Sequence, residues 1–289
     1  MPSTKTEYPV ETFPHRIAFL GTGSMNGAIL RGILASGVDP SRIVATVRGA
    51  EKARTLAGDT GVQALATSED PDANTNAVLG ADVVFVGVKP AGVQELCREI
   101  SGALRPGAVV VSVAAAVTIE LIERSLAPGQ PVVRSMPNTP LMVGRGAVGL
   151  SGGSSAAAEQ VDAVVGLLEG SGLVRVVPES QLDAVSAVSG SGPAYVFYLA
   201  EAMAKAGEDL GLDPELARDL ARATVAGAGL MLDDASADPA GLRKAVTSPN
   251  GTTERAIATF DGEGLPAIVA RGARAASDRA AEISRELAG

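Results

Sequence analysis

The sequence predicts an α/β chain in two parts: a parallel sheet with interleaved helices in the N-terminal half, followed by an all-helical C-terminal part. Three observations carry this. Short apolar runs alternate with helical periodicity from Arg16 to Val176, the pattern of repeated β-α-β units. The first run, Arg16 to Leu20, breaks at Gly21-Thr22-Gly23 directly ahead of a helical pattern. From Gln181 to Leu287 the periodicity is helical throughout, with no strand pattern.

The elements follow in order. After Arg16 to Leu20 and the glycine turn, Ala28 to Leu34 carries helical spacing. Strand, glycine turn, helix is the context of a dinucleotide fingerprint, in which glycines permit a tight turn and let a pyrophosphate approach the helix N-terminus. Gly21, Gly23, Ser24 and Met25 are therefore candidate cofactor contacts, and the N-terminal half is predicted to be Rossmann-type. The third fingerprint position, five after the first, holds Asn26 in place of a small residue. Further strands are predicted at Arg42 to Thr46, Val83 to Val88, Val109 to Val113 and Val132 to Arg134. Helices fall near Glu51 to Ala57, Ala91 to Leu104 and Ile119 to Leu126. A last β-α-β piece runs from Ala147 through a helix at Ala156 to Leu168 to a strand at Leu173 to Val176, all within a parallel sheet with right-handed crossovers.

After Pro178 the character changes. Pro193 opens a helix through Leu210, Gly211 stops it, and Asp213-Pro214 caps and starts the next through Leu232. Shorter helices are predicted at Ala240 to Val246, Thr253 to Thr259 and Leu265 to Leu287. The division expected is a polar arm at 1–15, a dinucleotide-binding domain at 16–178 and a helical domain at 179–289. The small-residue helix Ala221 to Leu232 has more apolar surface than so small a domain can readily cover, which points to a second subunit.

Bulk properties narrow the function. The net charge of −9 argues against nucleic acid, where Lys and Arg must neutralise phosphates. Any anion site must therefore be local. The one cysteine, Cys97, excludes an intrachain disulfide and a multi-cysteine metal site and fits a reducing cytoplasm; its helical neighbours give it a packing role. The longest apolar stretch, Ala108 to Ile119, is too short to span a bilayer. The one histidine, His15, precedes the first strand, so no histidine is placed as a catalytic acid and no metal cluster is expected.

Where an acidic residue would bind the ribose 2′-hydroxyl of NAD, the sequence reads Ala45-Thr46-Val47-Arg48-Gly49. Arg48 can instead pair with a 2′-phosphate, which favours NADPH and leaves NADH as the weaker cofactor; a solvated surface arginine is the other reading. Lys89 and Pro90 follow Val88 at the carboxyl edge of the sheet, where ligands bind in open α/β folds. Two C-terminal segments, Ala187 to Phe197 and Thr247 to Thr253, set glycines and small hydroxylated residues ahead of helical patterns. There backbone N–H groups and the helix dipole suit a carboxylate.

These segments, Ser-Gly-Ser-Gly-Pro at 189–193 and Thr-Ser-Pro-Asn-Gly-Thr-Thr at 247–253, together with the N-terminal turn, resemble the pyrroline-5-carboxylate reductase family over nearly the whole chain. The resemblance implies reduction of a cyclic imine, 1-pyrroline-5-carboxylate, to L-proline by NADPH, in a homodimer or larger assembly whose helical domains intertwine. It implies that Val88, Lys89 and Pro90 lie beside the nicotinamide half of the cofactor and that Asn74 meets the adenosine ribose. Ala114, with Ala115 and Ala116, would follow the fifth strand, Ala116 standing where the family has glycine. Asn138, in Arg134 to Pro140, would shape the nicotinamide pocket. Ser248 and the N–H groups of Gly251 and Thr252 would hold the substrate carboxylate, Thr253 would hydrogen-bond the ring nitrogen, and Ser191 and Gly192 would form the opposing wall. Asn250 replaces a glycine but tolerates positive φ better than other residues.

Two rival readings differ at named residues. A β-hydroxyacid dehydrogenase needs a lysine on the first long helix of the second domain, where this chain has Tyr195, Tyr198 and Glu201, with Lys205 too late. A non-catalytic NADP(H)-binding regulator would keep Gly21, Gly23 and Arg48 without needing Ser248 and Thr253.

Overall fold

The structure, a computed structural model, describes residues 16–288, so the arm at 1–15 and His15 lie outside the described residues. Its first part is built from β1 (Ile17–Leu20), α1 (Ser24–Ala35), β2 (Ile43–Val47), α2 (Ala50–Thr60), β3 (Gln63–Ala66), α3 (Ala73–Val78) and β4 (Val83–Val86). Then come α4 (Val93–Ile100), β5 (Val109–Ser112), α5 (Ile119–Glu123), β6 (Val132–Met136), β7 (Gly146–Gly152), α6 (Ala158–Glu169) and β8 (Gly172–Val176). The strands form one sheet in the order β3-β2-β1-β4-β5-β6-β7-β8.

Every neighbouring pair is parallel except β6 and β7. The reason is the length of the link. Residues 137–145, with a 3₁₀ turn at Thr139–Val143, are fewer than the dozen or so that a parallel crossover needs, so the chain reverses. The β7-α6-β8 unit restores the predicted parallel pairing at the sheet edge.

The sheet is buried on both faces, which is why its central strands read as unbroken apolar runs. Along β1, Ile17 and Phe19 face a core completed by α1, α2 and α6, while Ala18 and Leu20 face one completed by α3, α4 and α5. The Phe19 ring stacks on that of Phe85 with centroids 4.8 Å apart. Cys97 belongs to the second core, and burial pushes its thiol pKa up to about 12.

The helices that follow are α7 (Leu182–Val185), α8 (Gly192–Asp209), α9 (Pro214–Met231), α10 (Pro239–Ala245), α11 (Thr252–Gly262) and α12 (Leu265–Ala288), with one π-turn at Ser186–Gly190. The chain forms two compact units, one holding the residues up to Gly190 together with those from Ala276 onward, the other Ser191–Ala275. Within the first unit, the tail of α12 docks through Ser284, whose hydroxyl donates to the Ala116 carbonyl at 2.8 Å, and Gln94 Nε2 donates to the Leu287 carbonyl at 3.1 Å.

Within the second unit, α8 and α9 meet through buried Ala204, Ala217 and Ala221, and a Cβ added at Gly207 would stand 3.1 Å from that of Ala217. Small residues thus set a close helix approach. Most larger apolar side chains of this unit stay exposed, including Phe197 (68%), Tyr198 (72%) and Leu230 (66%). Among the described residues, no helix is long and apolar enough to cross a membrane.

Candidate active site

Because β1, β2, β4, β5 and β6 run parallel, their carboxyl ends share one edge of the sheet, and the register brings Leu20, Val86, Ser112 and Arg134 into line there. All the first-unit candidates but Asn74 sit on the links that leave this edge or, for Ser24 and Met25, on the first turn of α1. Gly21 has φ +68, and a Cβ there would lie 2.6 Å from Val88 Cγ1. Only glycine fits this close approach. Gly23 caps α1 with no side-chain hydrogen bond, and a Cβ on it would meet open space. Ser24 and Met25 open the helix, so the first N–H groups of α1 stand at a cleft mouth without intrahelical partners.

Arg48 follows β2 with an exposed side chain. Val88, Lys89 and Pro90 follow β4, where Lys89 is exposed and precedes a short 3₁₀ turn at Pro90–Gly92. Ala114 is buried after β5, and Ala116 beyond it adopts φ +64, the conformation that the glycine of the resemblance would take without strain. Asn138, after β6, is buried with both ends of its amide committed: Oδ1 accepts the Ala147 N–H at 2.8 Å, and Nδ2 donates to the Ser189 carbonyl at 3.1 Å. Asn138 therefore fixes the π-turn that leads to Ser191. Arg134, also buried, holds the stretch just before that turn by pairing with Glu179 and Asp183, each at 3.1 Å.

Asn26 has a place that sequence reasoning left open. Its side chain is buried over Gly87, where Nδ2 donates to the Leu20 carbonyl at 3.1 Å and reaches toward that of Phe85 at 3.5 Å. It thus joins the ends of β1 and β4, where the chain turns to opposite sides of the sheet. A Cβ on Gly87 would lie 2.3 Å from Asn26 Nδ2. Its Oδ1 is buried without a hydrogen-bond partner.

The second unit carries the other candidates. Ser191 and Gly192 stand at the start of α8, whose Pro193 follows at the second helical position. Ser248 to Gly251 form the loop between α10 and α11. Asn250 does adopt positive φ, +61, and its N–H donates to the Glu254 carboxylate at 2.8 Å. The Gly251 N–H is committed to the Ser248 carbonyl at 3.0 Å, so it closes the turn. Thr252 and Thr253 begin α11, which has no side-chain cap. Their N–H groups lie in the first turn of α11, without intrahelical partners, and the Thr253 hydroxyl lies in the same turn. Among the described residues, no cluster of His, Cys, Asp or Glu is fit to hold a metal ion.

The comparisons with known proteins decide the family. A pyrroline-5-carboxylate reductase dimerisation profile matches residues 179–283, and an NADP oxidoreductase coenzyme F420-dependent profile matches residues 16–116. The pyrroline-5-carboxylate reductase of Pseudomonas aeruginosa is 41% identical over 94% of this chain and 98% of its own length. The chain belongs to the pyrroline-5-carboxylate reductase family. The Mycobacterium tuberculosis reductase is 38% identical over 93% of this chain and 96% of its own. The solved Coxiella burnetii reductase, 38% identical, superposes with a TM-score of 0.86 over 93% of this chain and 98% of that one. A Plasmodium falciparum pyrroline carboxylate reductase solved with NADP bound shares the fold at 22% identity, with a TM-score of 0.79 over 93% of this chain and 98% of its own.

Proposed function

We infer that the protein reduces 1-pyrroline-5-carboxylate to L-proline with a hydride from NADPH, the last step of proline formation. Likeness to the reductases along nearly the whole chain, at 41% identity to one and 38% to another, carries this reading. Residues 16–178 serve as the dinucleotide-binding domain, and the helical dimerisation and substrate domain, assigned to 179–289, starts where the dimerisation profile begins, although its residues up to Gly190 and from Ala276 onward pack with the first compact unit. The protein works as a homodimer or an assembly of dimers, which accounts for the exposed apolar side chains of the second unit. The lone thiol of Cys97, free and buried, accords with a cytoplasmic location.

The cofactor fits the first unit because the Gly21 turn, packed against Val88, leads to Gly23, beside which the space is open, and the uncapped start of α1 offers N–H donors to a pyrophosphate. Gly21, Gly23, Ser24 and Met25 hold that part, Asn74 and Arg48 the ribose with its 2′-phosphate, and Val88, Lys89, Pro90, Ala114 and Asn138 the nicotinamide side. When bound, the nicotinamide supplies a hydride to the imine carbon. Ser248 and the N–H groups at the start of α11 fix the substrate carboxylate, with Gly251 shaping the turn and Ser191 and Gly192 lining the opposite wall. Thr253 holds the ring nitrogen through its hydroxyl, and the ring nitrogen keeps its proton as the C=N bond becomes C–N. The iminium form is already electrophilic, so the protein supplies orientation more than acid–base chemistry.

The test is oxidation of NADPH on addition of 1-pyrroline-5-carboxylate, followed by near-ultraviolet absorbance, with proline identified as product. Folded protein that binds NADPH yet leaves the imine untouched would refute the reading in favour of a cofactor-binding regulator.

A further inference from the structure

One hydroxyl links two separate parts of the cofactor half-site. Thr46 is a buried residue of β2, one before its end. Its carbonyl accepts the Thr22 N–H at 2.7 Å, while its Oγ1 accepts the Gly21 N–H at 3.1 Å and lies 2.8 Å from Asn74 Oδ1. A threonine hydroxyl has a single proton. The hydroxyl also has two lone pairs, of which the Gly21 N–H takes one, so the direction of the Asn74 amide is set by Glu99: a carboxylate only accepts, so the amide nitrogen faces it and the amide oxygen faces Thr46, whose proton it accepts. That nitrogen donates to the Glu99 carboxylate, on α4, at 3.1 and 3.4 Å. Both ends of the amide are thereby fixed, and one N–H of Asn74 is left for a ligand oxygen.

We propose that Thr46 is the positioning residue of the cofactor half-site, with Glu99 completing the lock. Through one side chain it holds the Gly21 turn that a pyrophosphate approaches and anchors Asn74 so that it offers a donor to the adenosine ribose. This rests on the NADPH reading above. Removing the hydroxyl leaves a half-buried N–H and an amide oxygen without their partner, and the two cofactor contacts lose their shared reference. Chemistry at the imine, on the other side of the nucleotide, keeps its own residues.

The experiment measures NADPH dissociation constants by fluorescence titration, with steady-state constants and thermal unfolding on the same samples. Thr46→Val should weaken NADPH binding about tenfold or more and raise its KM in step, with kcat at saturating cofactor within about twofold of the parent. Thr46→Ser, which keeps the hydroxyl, should restore most of the affinity. Valine binding as tightly as threonine would overturn the proposal, and so would serine failing as badly as valine, since the methyl group would then be what matters.

Should Thr46→Val fail to fold, the exposed Glu99 decides. Glu99→Gln and Glu99→Ala lose the same charge but only glutamine keeps an acceptor for Asn74, so glutamine should bind NADPH about threefold more tightly than alanine. Equal constants for the two would refute the lock. A parent protein that does not bind NADPH sinks the functional reading itself, whereas a binding parent with unaffected variants sinks this proposal alone.

Discussion

Gly87→Ala tests whether Asn26 and Gly87 form one packing unit. The added Cβ would lie 2.3, 2.4 and 2.8 Å from Nδ2, Cγ and Oδ1 of Asn26, far inside contact distance. Asn26 must move, since backbone from two strands surrounds it. Overpacking of a filled core costs about 1–3 kcal/mol, and loss of the Nδ2 bond to Leu20 adds about 1 kcal/mol. The single change should therefore destabilise by about 2–4 kcal/mol. Asn26→Ala alone should cost less, about 1 kcal/mol, because the lost hydrogen bond is offset by removal of the unpartnered Oδ1 and by better helix propensity. In the double variant the alanine methyl enters space that Asn26 has left. Its loss should fall short of the sum by about 1–3 kcal/mol. Urea midpoints at one fixed protomer concentration would measure the cycle, with NADPH titration as a check on the turn. Losses that add to within about 0.5 kcal/mol would show that the two residues do not share one space and would refute the reasoning.

Four further outcomes are expected. Arg48→Ala should weaken NADPH about ten- to hundredfold while leaving NADH nearly unchanged, read from parallel KM values; equal losses would give Arg48 to the shared part of the nucleotide. Thr253→Val should lower turnover by about a hundredfold with NADPH affinity intact, the lower end of a positioned donor's effect because the iminium is already protonated; unchanged turnover would remove Thr253 from the mechanism. Cys97 should resist iodoacetamide at mildly alkaline pH until the protein unfolds. Its folded pKa of about 12 lies above the ordinary 9.0, so the native state holds a proton that the unfolded chain loses, and stability should fall as pH rises from about 9 toward 12. Rapid native alkylation would contradict this burial. Sedimentation at assay concentration should show a dimer, and an active monomer would refute the assembly.

How much of this was legible in the sequence depended on side-chain pattern. The central strands were, because burial on both faces leaves apolar runs such as Val83 to Val86 and Val109 to Val111. So were the helix starts at Pro193 and Asp213-Pro214, which carry local backbone signals. β3 was not placed, since Gln63 to Ala66 lies at the sheet edge, exposed in part, and offers no apolar run. α3 is six residues long, too short for a period to show. The reversal into β7 is a matter of link length, and strand pattern carries no direction. In the site, glycine turns and the Ser248 to Thr253 loop were readable, including the positive φ of Asn250. Thr46 and the pairing of Asn26 with Gly87 were not, because each depends on which strands become neighbours: Thr46 lies 28 residues from Asn74 in the chain.

The tail of α12 alters what can be separated from this protein. The chain leaves the first unit after Gly190 and returns to it at Ala276, so the helical unit is inserted between two parts of its neighbour. Ser284 caps the carbonyl of Ala116, a residue at φ +64 on the carboxyl edge of the sheet. A fragment cut anywhere between 178 and 190 would lose that cap, and the loop after β5 would have to hold its left-handed turn unaided. A cofactor-binding fragment that keeps the cap must instead include the residues from 276 onward as well as those up to 190.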